Sequence, residues 1–75
     1  MDNNYDFLVI LKHYVLQYII EPKKIIYFCF ISDNYRLICS SDVNMCNYFI
    51  SRDDAILSQE RIKNFFGLEF QIVEV

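Results

Sequence analysis

The stretch KIIYFCFISDNYRLICS, Lys24 to Ser40, decides the fold. Ile25 to Ile31 is an unbroken run of β-branched and aromatic residues, apolar on both faces, which predicts a buried central strand. Ser32-Asp33-Asn34-Tyr35 follows as a turn, because Asp and Asn tolerate left-handed backbone. Tyr35 to Ser40 then returns as a second strand. With a two-residue loop, Ser32 pairs with Tyr35, Phe28 faces Cys39 and Cys29 faces Ile38. A three-residue loop would instead set Cys29 directly across from Cys39.

Upstream of this hairpin, Tyr5 to Ile20 carries apolar residues at Phe7, Leu8, Leu11, Tyr14, Val15, Tyr18 and Ile19. Steps of three and four are the helical period, so a helix is expected here. Asn3, Asn4 and Asp6 supply N-cap candidates, and Pro22 ends the helix by disfavouring helical backbone at Glu21. A long β-strand is the competing reading of the same residues.

Downstream, Ser41 to Ser51 reads two ways. Ser41 and Asp42 can cap a short helix bearing Val43, Cys46 and Ile50. Alternatively, Met45 to Ile50 is a third strand, which the β-prone Tyr48-Phe49-Ile50 favours. Ser51 and Asp53-Asp54 then open a helix, with carboxylates where its dipole is positive. Ala55, Ser58, Ile62, Phe65 and Phe66 form its apolar stripe, and Gly67, the one glycine, falls where a left-handed C-cap is needed. Leu68 to Val75 is predicted as a strand, since Leu68, Phe70 and Ile72 alternate with Glu69 and Gln71. The expected order is α-β-β-(β or α)-α-β. Residues 1–75 form a single α+β domain, with two helices packed on one face of a mainly antiparallel sheet of three or four strands.

Composition narrows the function. Seven Phe and six Tyr among 75 residues fill a small core well, and some aromatic surface is expected to be left for a partner. The net charge of −3 and the scattered basic residues argue against nucleic acid, because phosphate binding needs clustered Lys and Arg. Cys29, Cys39 and Cys46 are odd in number, lack a CxxC spacing and have apolar neighbours, which predicts free thiols in a reducing, cytoplasmic compartment. The polar start Met1-Asp2-Asn3-Asn4 does not resemble a secretory signal. The apolar run Phe7 to Leu11 is too short to span a membrane. Ile, Phe, Tyr, Asn and Lys make up 34 of the 75 residues, a skew that AT-rich codons produce. A short reading frame of that kind points to a viral or phage accessory protein, acting in the host cytoplasm.

Chemistry has little to stand on. His13 is the single histidine and sits beside Lys12, so neither Cys-His catalysis nor a zinc site with several converging ligands is expected. No glycine-rich phosphate loop exists. If Ser41 to Ile50 were helical, the order α-β-β-α-α-β would resemble a prokaryotic-type KH RNA-binding domain. The position of its GXXG loop reads Ser51-Arg52-Asp53-Asp54 here, with no glycine and two carboxylates facing where phosphate would lie. No enzyme activity, cofactor or metal is expected. The expected function is a protein–protein interaction module, such as an inhibitor of a host defence protein. A structural homo-oligomer such as a homodimer, and an acidic mimic of nucleic acid or a KH-like nucleic-acid binder, are the alternatives. The surfaces expected to carry binding are exposed tyrosines, Tyr35 and Tyr48, and the edge of the last strand, through Glu69, Gln71 and Val73.

Overall fold

The computed structural model describes residues 13–75. Four strands form one antiparallel sheet: β1 (Tyr14–Glu21), β2 (Lys24–Ile31), β3 (Leu37–Ser40) and β4 (Gln71–Glu74), in the spatial order β3-β2-β1-β4. The described residues hold a single α-helix, α1 (Arg52–Phe66), which links the two edge strands.

The predicted first helix is therefore corrected. From Tyr14 onward its residues form β1, and its earlier part lies outside the described residues. The helical spacing has a physical origin. Tyr14, Leu16 and Tyr18 pack toward the core under α1, while Val15, Gln17 and Ile19 point to the opposite face. Val15 and Leu16 are both 0% exposed, so at this point β1 is covered on both faces. A strand apolar on both faces has no clean period of two, and steps of three and four then arise without a helix. Pro22 stops an element as expected, but as the first corner of a tight turn joining β1 to β2, where Glu21 pairs with Lys24.

The second hairpin combines the two loop readings. The loop has three residues: Ser32 N–H donates to the Arg36 carbonyl at 2.9 Å, and Tyr35 N–H donates to the Ser32 carbonyl at 2.9 Å. Ser32 thus pairs with Arg36, not Tyr35. Phe28 nevertheless faces Cys39, because a bulge at Cys29 absorbs the extra residue and sets Phe30 opposite Ile38. β2 is internal to the sheet as predicted, with Phe28 buried, yet Phe30 at its far end is exposed.

Ser41 to Ser51 is neither an α-helix nor a full strand. Asp42 caps a single 3₁₀ turn, Val43–Met45, by accepting from Asn44 N–H at 2.9 Å. The chain then extends, and only Phe49 joins the sheet, exchanging two backbone hydrogen bonds of 2.8 Å with Tyr14. The KH-like order is consequently absent among the described residues. Asn47 N–H donates to the Phe28 carbonyl at 2.9 Å, so the segment also touches β2 without forming a ladder.

α1 begins and ends as the sequence indicates. Ser51 Oγ accepts from the N–H groups of Asp53 and Asp54, and Gly67 closes the helix at φ 71°. Ala55 and Ile62 enter the core with Leu16, Phe28 and Phe70, but Phe65 leaves the expected stripe and is 69% exposed. On a helix, Phe65 and Phe66 stand about 100° apart, and Phe66 lies closer to the direction of Ile62. Of the predicted last strand, Gln71–Glu74 forms the ladder, with Leu68, Phe70 and Ile72 packed against the core cluster.

Phe70 is 2% exposed and one of the largest side chains in the core. Truncating Phe70→Ala is expected to cost about 3–5 kcal/mol. A domain of this length holds roughly 4–11 kcal/mol in total, so a large loss of the folded fraction should be visible in urea denaturation followed by circular dichroism.

Candidate protein-binding surfaces

Two surfaces combine exposed apolar groups with a cleft. The first joins the β2–β3 hairpin tip to the C-terminal end of α1. Ile31, Tyr35, Arg61, Phe65 and Phe66 line a cleft of about 660 Å³. Tyr35 is 76% exposed and adopts a left-handed backbone, φ 60°. This conformation follows from the three-residue loop, whose last position needs positive φ and usually holds Gly or Asn. Tyrosine is held there at a conformational cost while its ring stays in water.

The second surface is the outer edge of β4. His13 and Val75 exchange backbone hydrogen bonds in both directions, 3.5 and 2.8 Å. In an antiparallel ladder such pairs alternate, so Val73 and Gln71 also bond inward to Val15 and Gln17. The N–H and C=O of Ile72, between them, therefore point away from β1. Beside this edge, α1 and β4 enclose a cleft of about 720 Å³ lined by Arg52, Ile56, Gln59, Lys63, Glu69 and Ile72. Gln59 reaches across it and donates from Nε2 to the Phe70 carbonyl at 2.7 Å. A side-chain amide thus already occupies one outward backbone position of this segment.

The five residues singled out from sequence separate into three places. Tyr35 lines the aromatic cleft. Tyr48 stands apart, with its ring edge-on to His13 at 5.7 Å. Glu69, Gln71 and Val73 all belong to the β4 edge segment, but Gln71 and Val73 turn their backbone groups inward. The outward residue between them is Ile72, whose side chain alternation assigns to the core. Phe65 and Arg61 were also missed as cleft residues.

No cluster of three His, Cys, Asp or Glu side chains suited to a metal occurs among the described residues, and none of their polar or charged residues is buried. Asp53 and Asp54 serve the helix start. Burial pushes the thiols of Cys29, Cys39 and Cys46 above their ordinary value, so only a small fraction of each is thiolate at neutral pH. No helix of the described residues is long and apolar enough to cross a membrane. With the fold and surfaces in view, no family model, curated protein or solved structure matches the chain significantly.

Two measurements address these features. Tyr35→Gly removes the left-handed cost and is expected to stabilise the fold by about 0.5–1 kcal/mol, after the greater chain entropy of glycine is deducted; a shift of the urea midpoint reads it. The second concerns Lys63 and Glu69, which pair at 2.9 Å in solvent. The hydrogen bond and charge of Lys63 hold the Glu69 carboxyl below its ordinary value, and Glu69 raises Lys63 in return. A depressed carboxyl contributes stability above its unfolded value and loses it as pH falls through the folded one. A raised ammonium contributes below its unfolded value and loses it as pH rises through the folded one. The pair therefore acts across neutral pH, weakly because both groups are exposed. Glu69→Gln should lower the thermal midpoint slightly at neutral pH, and the difference should vanish below the carboxylate range and in high salt.

Proposed function

We propose that this chain is a non-catalytic protein-binding module that takes an extended segment of its partner as a fifth strand beside β4. The observation that carries this reading is the outward N–H and C=O of Ile72 next to the cleft between α1 and β4. Strand addition obtains affinity from main-chain hydrogen bonds and specificity from pockets that accept alternate side chains. Ile56 and Ile72 offer such a pocket an apolar floor, and Arg52 a cation at its rim. The aromatic cleft at Tyr35 and Phe65 supplies a second contact of the kind interfaces favour, rich in aromatic area and arginine. A partner bound in this way can be held inactive, which suits a small viral or phage accessory protein that inhibits a host protein in the cytoplasm.

A homodimer through the same edge is the second reading, and the register favours it. Two β4 strands centred on Ile72 would set Glu74 opposite Phe70 and Gln71 opposite Val73, with no like charges facing one another. Sedimentation at micromolar concentration separates the two readings: self-pairing gives a dimer, and partner capture leaves a monomer.

The direct test uses peptides selected from a random display library against the whole chain. Binders should protect the Ile72 amide from hydrogen exchange. Ile72→Pro removes the outward N–H without removing a β1–β4 ladder bond, because proline is tolerated on an edge. It should reduce binding at least about tenfold, equivalent to about 1.4 kcal/mol, whereas Ile72→Ala, which keeps the N–H, should bind better than the proline variant. Protection confined to the Tyr35–Phe65 cleft, or equal binding by the two variants, would overturn strand addition.

A further inference from the structure

All three cysteines converge on one place that binding at β4 does not use. Cys29, Cys39 and Cys46, with Phe30 and Met45, line a cleft of about 340 Å³ between β2, β3 and the 3₁₀ turn. The sequence separates them by ten and seven positions. The fold assembles them through two devices: the bulge at Cys29, which lies beside the Phe28–Cys39 pair, and the return of the chain after Ser40.

Their roles in the cleft differ. The Cys29 thiol donates to the Met45 carbonyl at 3.3 Å, so its sulfur lies against the backbone immediately before Cys46. Cys46 ends the 3₁₀ turn in extended backbone, and its thiol donates to the Val43 carbonyl at 2.9 Å. Cys39 is fixed in the β3 ladder and packs against the core cluster. Cys29 stands unpaired at the bulge of β2 and Cys46 in the irregular chain beside it, where the backbone can adjust to bridge geometry, whereas Cys39 is paired with Phe28 in the ladder.

We propose that Cys29 and Cys46 form a redox modification site that closes to an internal disulfide when a low-molecular-weight disulfide reaches the cleft. The Cys29 thiolate attacks one sulfur of the oxidant, forming a mixed disulfide and releasing the first thiol. The Cys46 thiolate then attacks the Cys29 sulfur and expels the second thiol. Two protein thiols and one small disulfide become one protein disulfide and two small thiols, so two electrons pass to the oxidant. Burial, together with the charge of Cys29, raises the Cys46 thiol, so its small thiolate fraction makes the closing step slow at neutral pH. Closure ties the Val43–Met45 turn to β2, and with it the segment that delivers Phe49 to Tyr14.

The test is incubation of the folded chain with glutathione disulfide, acid quenching, alkylation and peptide mapping. The expected product is an internal Cys29–Cys46 bridge with Cys39 alkylated. Cys39→Ser should keep the bridge, and Cys46→Ser should stop at the Cys29–glutathione adduct. A Cys29–Cys39 bridge, disulfides only between chains, or no bridge overturns the proposal, and the wild-type map decides even if a variant fails to fold. Phenylarsine oxide provides a second reading without oxidation, since it bridges two adjacent thiols with release of water. Folded wild-type chain should bind it stoichiometrically, and Cys29→Ser should bind at least about tenfold more weakly; equal binding would count against the pair.

Discussion

The structure depends on β1 being satisfied on all four sides. Its inward and outward backbone groups bond to β4 on one edge and to β2 and Phe49 on the other. Its two faces bury Leu16 under α1 and Val15 opposite. In a chain this short, burying both faces of one strand concentrates much of the available hydrophobic stabilisation in a few residues. The hairpin to β2 and the ladder to β4 both take their register from it. The helix has only to cover one side.

Two irregularities then shape what the surface offers. The bulge at Cys29 lets a three-residue loop coexist with the Phe28–Cys39 pair, and it brings the thiols to one cleft. The same loop forces Tyr35 into left-handed backbone, which lifts an aromatic ring into solvent beside Phe65. Both are local departures from a regular ladder, and natural sheets place such departures where a side chain must be re-aimed. Among the described residues, β4 stands at the edge of the sheet for the opposite reason. It is short, regular and last in the sheet, so every second backbone position faces outward.

Much of this was legible in the residues. Ile, Phe and Tyr at Ile25 to Ile31 dictated an internal strand, Asp33-Asn34 a turn, and Ser51 with Asp53-Asp54 the start of α1. Gly67 marked its end because a left-handed position disfavours any residue with a Cβ. The alternation of Leu68, Phe70 and Ile72 marked which side of the last strand meets the helix. These signals are local: each depends on backbone preferences or on side chains a few positions apart. Part of the candidate site was readable in the same way, as Glu69, Gln71 and Val73 do fall on the edge segment and Tyr35 is exposed.

What tertiary structure decided is whatever depended on partners distant in the chain. Tyr14 to Glu21 has helical spacing of apolar residues, yet its fate rested on having β2 and β4 to pair with, and inter-strand hydrogen bonds outweigh a weak local propensity. Which backbone groups of β4 point outward followed from the His13–Val75 pairing, a relation no single-strand pattern contains. The meeting of Cys29 with Cys46 needed both a bulge and a returning loop. The sequence by itself therefore determined the class of fold, an α+β domain with one face of an antiparallel sheet under a helix, because that follows from local turns, caps and apolar faces. The identity of the first element, the open edge and the thiol cleft were decided only in three dimensions, because each is a contact between segments that become neighbours only on folding.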